Sequence, residues 1–271
     1  MVRSLVLDGY GINCAEELHA AYHLAGAEVA TVHLKDIFSG DCVIDDYDII
    51  NFPGGFSFGD DLGAGRVLAN TLKYRRMKSG KRFIEELQAY VMEGKHILGI
   101  CNGFQTLIAL GLLPRISGEI DQELSLVGNS SGHFEDRWVR LKVRAGSNNG
   151  WFSGLDLVEL PVRHAEGRLI VRDSEQGASL LEGGHVVLQY CDESGEVVED
   201  YPANPNGSYA SCAALTDQTG RVLGMMPHPE AFLSLYNHPD WCGMKRRAKD
   251  CNEEGAGLSL FRGIVESLVC C

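Results

Sequence analysis

The chain has 271 residues, is 45% hydrophobic and 23% charged, and carries a formal net charge of -13. That length suits one large α/β domain or two small ones and buries a core without staples. The acidic balance argues against a phosphate-backbone binder, so no nucleic-acid partner is expected.

Nine cysteines, with no Cys-x-x-Cys pair among them, read as reduced thiols of a cytoplasmic protein. No metal is expected. The amino-terminal apolar run is too short for a signal peptide, and no apolar run approaches the ~20 residues that span a bilayer, so no membrane partner is expected either.

In chain order, Val2–Leu7 reads as a buried strand closed by Asp8-Gly9. Asn13 is a candidate cap for a helix in which Leu18, Ala21, Tyr22 and Ala25 share one face and which Gly26 ends. Glu28–His33 and Asp48–Phe52 read as the next strands, the second stopped by Pro53-Gly54-Gly55. Lys81–Glu93 has helical period, Gly94 caps it, and His96–Ile100 is a strand followed by a helical stretch from Phe104 to Leu113. Strands alternating with helices predict a mostly parallel sheet covered on both faces. After Pro114 the pattern turns β-rich: Arg137–Val143, Leu157–Val162, His185–Tyr190, Ser211–Leu215 and Val222–Met226 read as strands with little helix between them, and Leu258–Leu268 closes as an amphipathic helix. With no linker or repeat, residues 1–271 are expected to form a single domain.

Two segments carry chemistry. Gly99-Ile100-Cys101-Asn102-Gly103 places a cysteine on a strand-to-helix elbow, where helix amino-terminal N–H groups favour the thiolate. The Asn102 amide points at the same place and is a candidate oxyanion donor. Far downstream, His228-Pro229-Glu230 offers a base and a carboxylate to orient it. In an extended segment, residues two apart face one side, so both can enter one cleft. The glycine pair after the 48–52 strand supplies a second oxyanion donor, with Gly55 the chosen residue.

Cys-Asn-Gly-Phe-Gln at 101–105, Pro-Gly-Gly-Phe-Ser-Phe-Gly-Asp at 53–60 and the His-Pro-Glu at 228–230 resemble the class I (triad) glutamine amidotransferases. Within that class they are most similar to the glutaminase subunits of phosphoribosylformylglycinamidine synthase. Gly-Ile-Asn-Cys at 11–14, Leu-Pro-Val-Arg-His-Ala-Glu-Gly-Arg at 160–168 and Tyr-Pro-Ala-Asn-Pro-Asn-Gly-Ser at 201–208 extend the match. Ala231 departs from the arginine that usually follows His-Pro-Glu.

The resemblance implies a flavodoxin-like α/β fold: a central, mostly parallel sheet flanked by helices, with additional antiparallel strands. It implies a Cys101–His228–Glu230 triad that hydrolyses glutamine, with Gln105 and the 160–168 segment, His164 and Glu166 included, helping to hold that substrate. Ammonia would pass to a synthetase subunit that uses ATP and Mg to convert formylglycinamide ribonucleotide to the amidine in de novo purine synthesis. The sequence leaves open whether a small accessory subunit joins them. No cofactor is expected in this chain, which lacks Gly-x-x-x-x-Gly-Lys-Ser/Thr.

The alternatives are an independent cysteine amidohydrolase or another class I amidotransferase subunit. Asn102 stands where DJ-1/PfpI hydrolases carry histidine, which counts against the first. Lys245-Arg246-Arg247 with Lys249 reads as a solvated face or a docking patch for the synthetase. Cys270-Cys271 looks like a lipidation tail but fits surface cysteines better. Asn129-Ser130-Ser131 and Asn206-Gly207-Ser208 fit a glycosylation pattern that a cytosolic chain would never use.

Overall fold

The computed structural model describes residues 1–146, 150–152, 154–247 and 252–269. The first half runs β1 (Arg3–Asp8), α1 (Ala15–Leu24), β2 (Glu28–His33), α2 (Leu34–Ser39), β3 (Ile49–Phe52), α3 (Arg66–Tyr74), α4 (Phe83–Met92), β4 (His96–Ile100) and α5 (Asn102–Leu110). The second half adds β5 (Ser125–Val127), β6 (Glu135–Val143), β7 (Leu157–His164), β8 (Arg168–Ile170), α6 (Ser174–Glu182), β9 (Val186–Cys191), β10 (Cys212–Thr216), β11 (Val222–Met225), α7 (Trp241–Arg247) and α8 (Ala256–Val269).

One sheet takes strands from both halves, in the order β2-β1-β3-β4-β11-β10-β9-β6-β7. From β2 to β11 neighbours are parallel; from β11 to β7 they are antiparallel. The antiparallel strands therefore extend the parallel sheet rather than forming a separate unit. β1, β3, β4 and β11 are apolar on both faces because helices cover both sides, as their near-continuous burial shows. α1 buries Leu18, Ala21 and Tyr22, and Tyr22 packs edge-on against Phe261 of α8. Each such large side chain contributes roughly 2 kcal/mol of burial.

Three expectations change. Cys14, not Asn13, occupies the cap position of α1, and no side chain caps that end. Asn13 is instead drawn to the glycine loop, its N–H donating to Gly54 O at 3.2 Å. The second half is less helix-poor than its pattern suggests, because Asp173 caps α6 by accepting from Gln176 N–H at 2.8 Å. The basic run is also less free than it reads. Lys245 pairs with Glu253 and Tyr236, and Arg247 pairs with Asp240. Lys249 and Cys270-Cys271 lie outside the described residues. No helix among the described residues is long and apolar enough to cross a membrane.

The antiparallel half also curls. β7 is last in the pairing order, yet its end crosses the carboxyl edge of the parallel strands, where Pro161 O accepts from His228 N–H at 2.8 Å. That return brings the 160–168 segment onto the elbow.

Candidate active site

Cys101 has φ 50° and ψ -104°, a left-handed conformation rare for a residue with a Cβ. Such a position costs on the order of 1–3 kcal/mol and persists only where its surroundings enforce it. Here they do so from both sides. The Cys101 N–H donates to Met225 O at 2.7 Å, and its carbonyl accepts the first helical bond of α5 from Gln105 at 3.0 Å. Gly103 lets the helix start directly over β3, since a Cβ there would stand 1.9 Å from Phe52 O. β4 and β11 are parallel neighbours with Ile100 opposite Met225, so Cys101 and His228 leave the sheet at the same edge.

His228 and Glu230 meet through a short 3-10 turn at Pro229–Ala231 rather than through the extended segment the sequence suggests. Glu230 Oε1 accepts from His228 Nδ1 at 2.5 Å, which makes Nε2, without a hydrogen-bond partner, the nitrogen that bears the lone pair in the neutral ring and the second proton in the imidazolium. Cys101, His228 and Glu230 are 5%, 2% and 2% exposed. Burial opposes the imidazolium, but the Glu230 carboxylate and the Cys101 sulfur outweigh it and hold His228 well above its usual 6.5. The Cys101 thiol donates to Arg163 O at 3.6 Å. The Arg163 guanidinium stands 3.3 Å from His228 Nδ1 and 4.0 Å from Glu230 Oε1. With the Nδ1 proton given to Glu230, that approach is a charge contact with the pair, not a hydrogen bond to the ring.

Gly55 has φ +142°, and a Cβ there would lie 2.5 Å from Asn13 N and 2.7 Å from Gly11 O. Only glycine fits. The 9–14 loop grips this turn: Asn13 and Cys14 N–H both donate to Gly54 O, Phe56 N–H to Gly11 O and Phe58 N–H to Tyr10 O. From the other side, the Asn102 side chain accepts from Ser57 Oγ at 2.6 Å. The Gly55 and Asn102 backbone N–H groups have no partner among the described residues, which leaves both available to a developing oxyanion.

Gln105 and Glu166 come to the same place but engage each other, while His164 in the same loop is bonded to Asn129. Gln105 accepts from Asn102 Nδ2 at 3.1 Å and donates to Glu166 O at 2.5 Å. Glu166 Oε2 accepts from Ala64 N–H at 3.2 Å, tying the 164–167 loop to the segment before α3.

Asn129 is central to this loop. Its Nδ2 donates to the carbonyls of His133 and His164, so its Oδ1 must accept from Gly167 N–H and from His164 Nδ1. That settles the His164 tautomer as Nδ1–H. Burial lowers its pKa to about 3, with the nearby His228 adding to the shift, so the ring stays neutral. Asn206 and Ser208 buttress the loop from below through Gly167 O.

The two glycosylation-like asparagines are thus buried structural groups, at 6% and 0% exposure. Only the Asn206 match to the family segment hinted at this. Asn129→Ala is expected to cost about 2–3 kcal/mol by orphaning buried partners and to raise the KM for glutamine roughly tenfold with a smaller change in kcat. Urea unfolding and steady-state glutaminase kinetics check both; an unchanged KM would separate this network from substrate binding.

A buried Cys–His–Glu cluster at the carboxyl edge of a doubly covered sheet, with two unpartnered backbone N–H groups in the loops beside it, is the arrangement that a thiol-dependent amidotransferase of class I requires. The family profile described as CobB/CobQ-like glutamine amidotransferase domain matches residues 1–266. The chain is 38% identical over 269 residues to phosphoribosylformylglycinamidine synthase subunit PurQ of Methanococcus maripaludis, covering 97% of each chain. It is 38% identical over 265 residues to the same subunit of Dehalococcoides mccartyi, covering 98% of this chain and 97% of that one. Among solved structures, a chain of PurLQS from Thermotoga maritima superposes with a TM-score of 0.70 at 28% identity, over 98% of this chain and 99% of that one. The chain belongs to the PurQ family of glutamine amidotransferases.

Proposed function

We propose that this chain supplies ammonia to a phosphoribosylformylglycinamidine synthase, with Cys101 as the nucleophile. The observation that carries the reading is the strained Cys101 elbow set beside the His228–Glu230 pair by the β4–β11 register. His228 Nε2 takes the Cys101 proton, and the thiolate attacks the side-chain carboxamide of glutamine. The oxyanion forms against the N–H groups of Gly55 and Asn102. His228 returns its proton to the departing nitrogen, ammonia leaves and a γ-glutamyl thioester remains. Water, deprotonated by the same imidazole, then releases glutamate and the thiol. Glu230 holds the ring in the productive tautomer throughout. Glu166, braced by Gln105, and His164, held by Asn129, form the wall against which glutamine lies.

Residues 1–271 act as one glutaminase domain, a reading supported by the sheet shared between the two halves. The near-complete burial of the triad requires the 54–65 or 164–167 segment to open for substrate, which suits a glutaminase switched on by its partner. That partner is the synthetase subunit, which supplies the ATP and Mg chemistry and converts formylglycinamide ribonucleotide to the amidine. The free thiols at Cys14, Cys42, Cys101, Cys191, Cys212 and Cys242 support a cytoplasmic site of action.

The test is ammonia release from glutamine by the chain alone and with its cognate synthetase, ATP and formylglycinamide ribonucleotide. Activity should rise sharply in the complex and fall at least a thousandfold in Cys101→Ala, while the mutant complex still makes product from added ammonium. Strong activity of the free chain, indifferent to the synthetase, would point to an independent amidohydrolase.

A further inference from the structure

Cys14 takes no part in the chemistry above, yet it lies against it. It is 7% exposed, and its N–H is tied to Gly54 O. A Cβ on Gly54 would stand 3.2 Å from Cys14 Sγ, 2.8 Å from His228 Cε1 and 3.5 Å from His228 Nδ1. The thiol and the Cε1–Nδ1 edge of the imidazole thus both lie against Gly54, and Glu230 bonds that edge at Nδ1. One donor atom each from Cys14, His228 and Glu230 lies within 4.8 Å of the others. Glu230 Oε2, at the same corner, is buried without a hydrogen-bond partner.

We propose that Cys14, His228 and Glu230 form an inhibitory site for a thiophilic divalent cation of the zinc type. A thiolate, an imidazole nitrogen and a carboxylate oxygen make a mixed ligand set that such ions accept, with water completing the tetrahedron. Bonds of about 2.0–2.3 Å require ligand atoms roughly 3.3–3.7 Å apart, so the Nδ1–Oε1 pair opens modestly from its 2.5 Å contact.

The protons balance simply. The ion displaces the Cys14 thiol proton to solvent and binds Nδ1; from the neutral ring the Nδ1 proton moves to Nε2, and from the imidazolium, whose Nε2 is already protonated, it leaves to solvent. Nε2 then carries a hydrogen and cannot accept the Cys101 proton, so turnover stops. Arg163 opposes a further cation from 3.3 Å, but its side chain is 36% exposed and can swing outward.

The test uses full-length protein and cadmium or zinc ions as probes. Cys101→Ala protein titrated with Cd²⁺ should show one equivalent of sulfur-to-cadmium charge-transfer absorbance that Cys101→Ala/Cys14→Ser lacks, the other thiols contributing equally to both. In the synthetase complex, the Zn²⁺ concentration for half-inhibition, normalised to each protein's metal-free rate, should rise at least tenfold in Cys14→Ser. Cys14→Ala substitutes if the serine variant does not fold. Identical cadmium spectra with and without Cys14 would overturn the site. So would equal zinc sensitivity, which would place the ion between Cys101 and His228. The optical readout needs no turnover, so it stands or falls separately from the glutaminase assignment.

Discussion

Gly103→Ala is expected to lower stability by about 3 kcal/mol or more and to remove most glutaminase activity. The added Cβ would lie 1.9 Å from Phe52 O and 2.6 Å from Phe52 C. These are backbone atoms at the end of β3, so no rotamer change relieves the contact. Either α5 lifts from the sheet, carrying Cys101 and the Asn102 amide with it, or β3 shifts and takes the 53–58 turn with it. Both movements part the nucleophile from the oxyanion donors, whose placement within about 1 Å governs the rate. Urea unfolding and ammonia release from the complex test the two halves together. A variant that kept wild-type stability and rate would show that the helix start is not held against β3.

Glu230→Gln separates electrostatics from shape. The substitution keeps the side chain's size but replaces the acceptor of the 2.5 Å bond from His228 with an amide that carries no charge. Turnover is expected to fall by up to roughly 10,000-fold, the drop that accompanies replacement of a serine-triad aspartate by its amide. The fold should respond in a pH-dependent way. His228 is held above 6.5 in the folded chain against the opposing cost of burial, largely by Glu230. A raised folded-state pKa stabilises the protein fully below the unfolded value and ever less as pH climbs through the folded one. The wild type's stability advantage over the variant should thus be greatest near pH 6 and shrink on the alkaline side of 6.5. Unfolding free energies at pH 6 and pH 9 decide it: a gap that widens with pH would mean the pair does not stabilise an imidazolium.

Much of the fold was legible because local signals and burial agree. The strands at 49–52 and 96–100 are short, buried, largely apolar runs, and Gly94 closes α4 as its position suggests. The elbow at Cys101 was legible for another reason. A left-handed cysteine needs small neighbours on both sides, so Gly99 and Gly103 announce the elbow in the sequence itself. α3 and α6 escaped notice. α3 starts after Gly65, whose N-cap offers no side chain, and α6 lies in a stretch whose neighbours are all strands.

The amino-acid sequence by itself pointed to the thiol, the base and the carboxylate that the fold brings together, and determined the alternation that covers a parallel sheet on both faces. Only the tertiary structure decided how that chemistry is held. The return of β7 across the sheet edge, the grip of the 9–14 loop on Gly54 and Gly55, and the burial of Asn129 and Asn206 beneath the 164–167 loop are long-range contacts. No local pattern records them, because a hydrogen bond between residues 35 to 67 apart leaves no period or spacing in the chain. Cys14 shows the same limit: a small residue at a helix start in sequence, it becomes a neighbour of His228 only when chain ends 214 residues apart share one sheet edge.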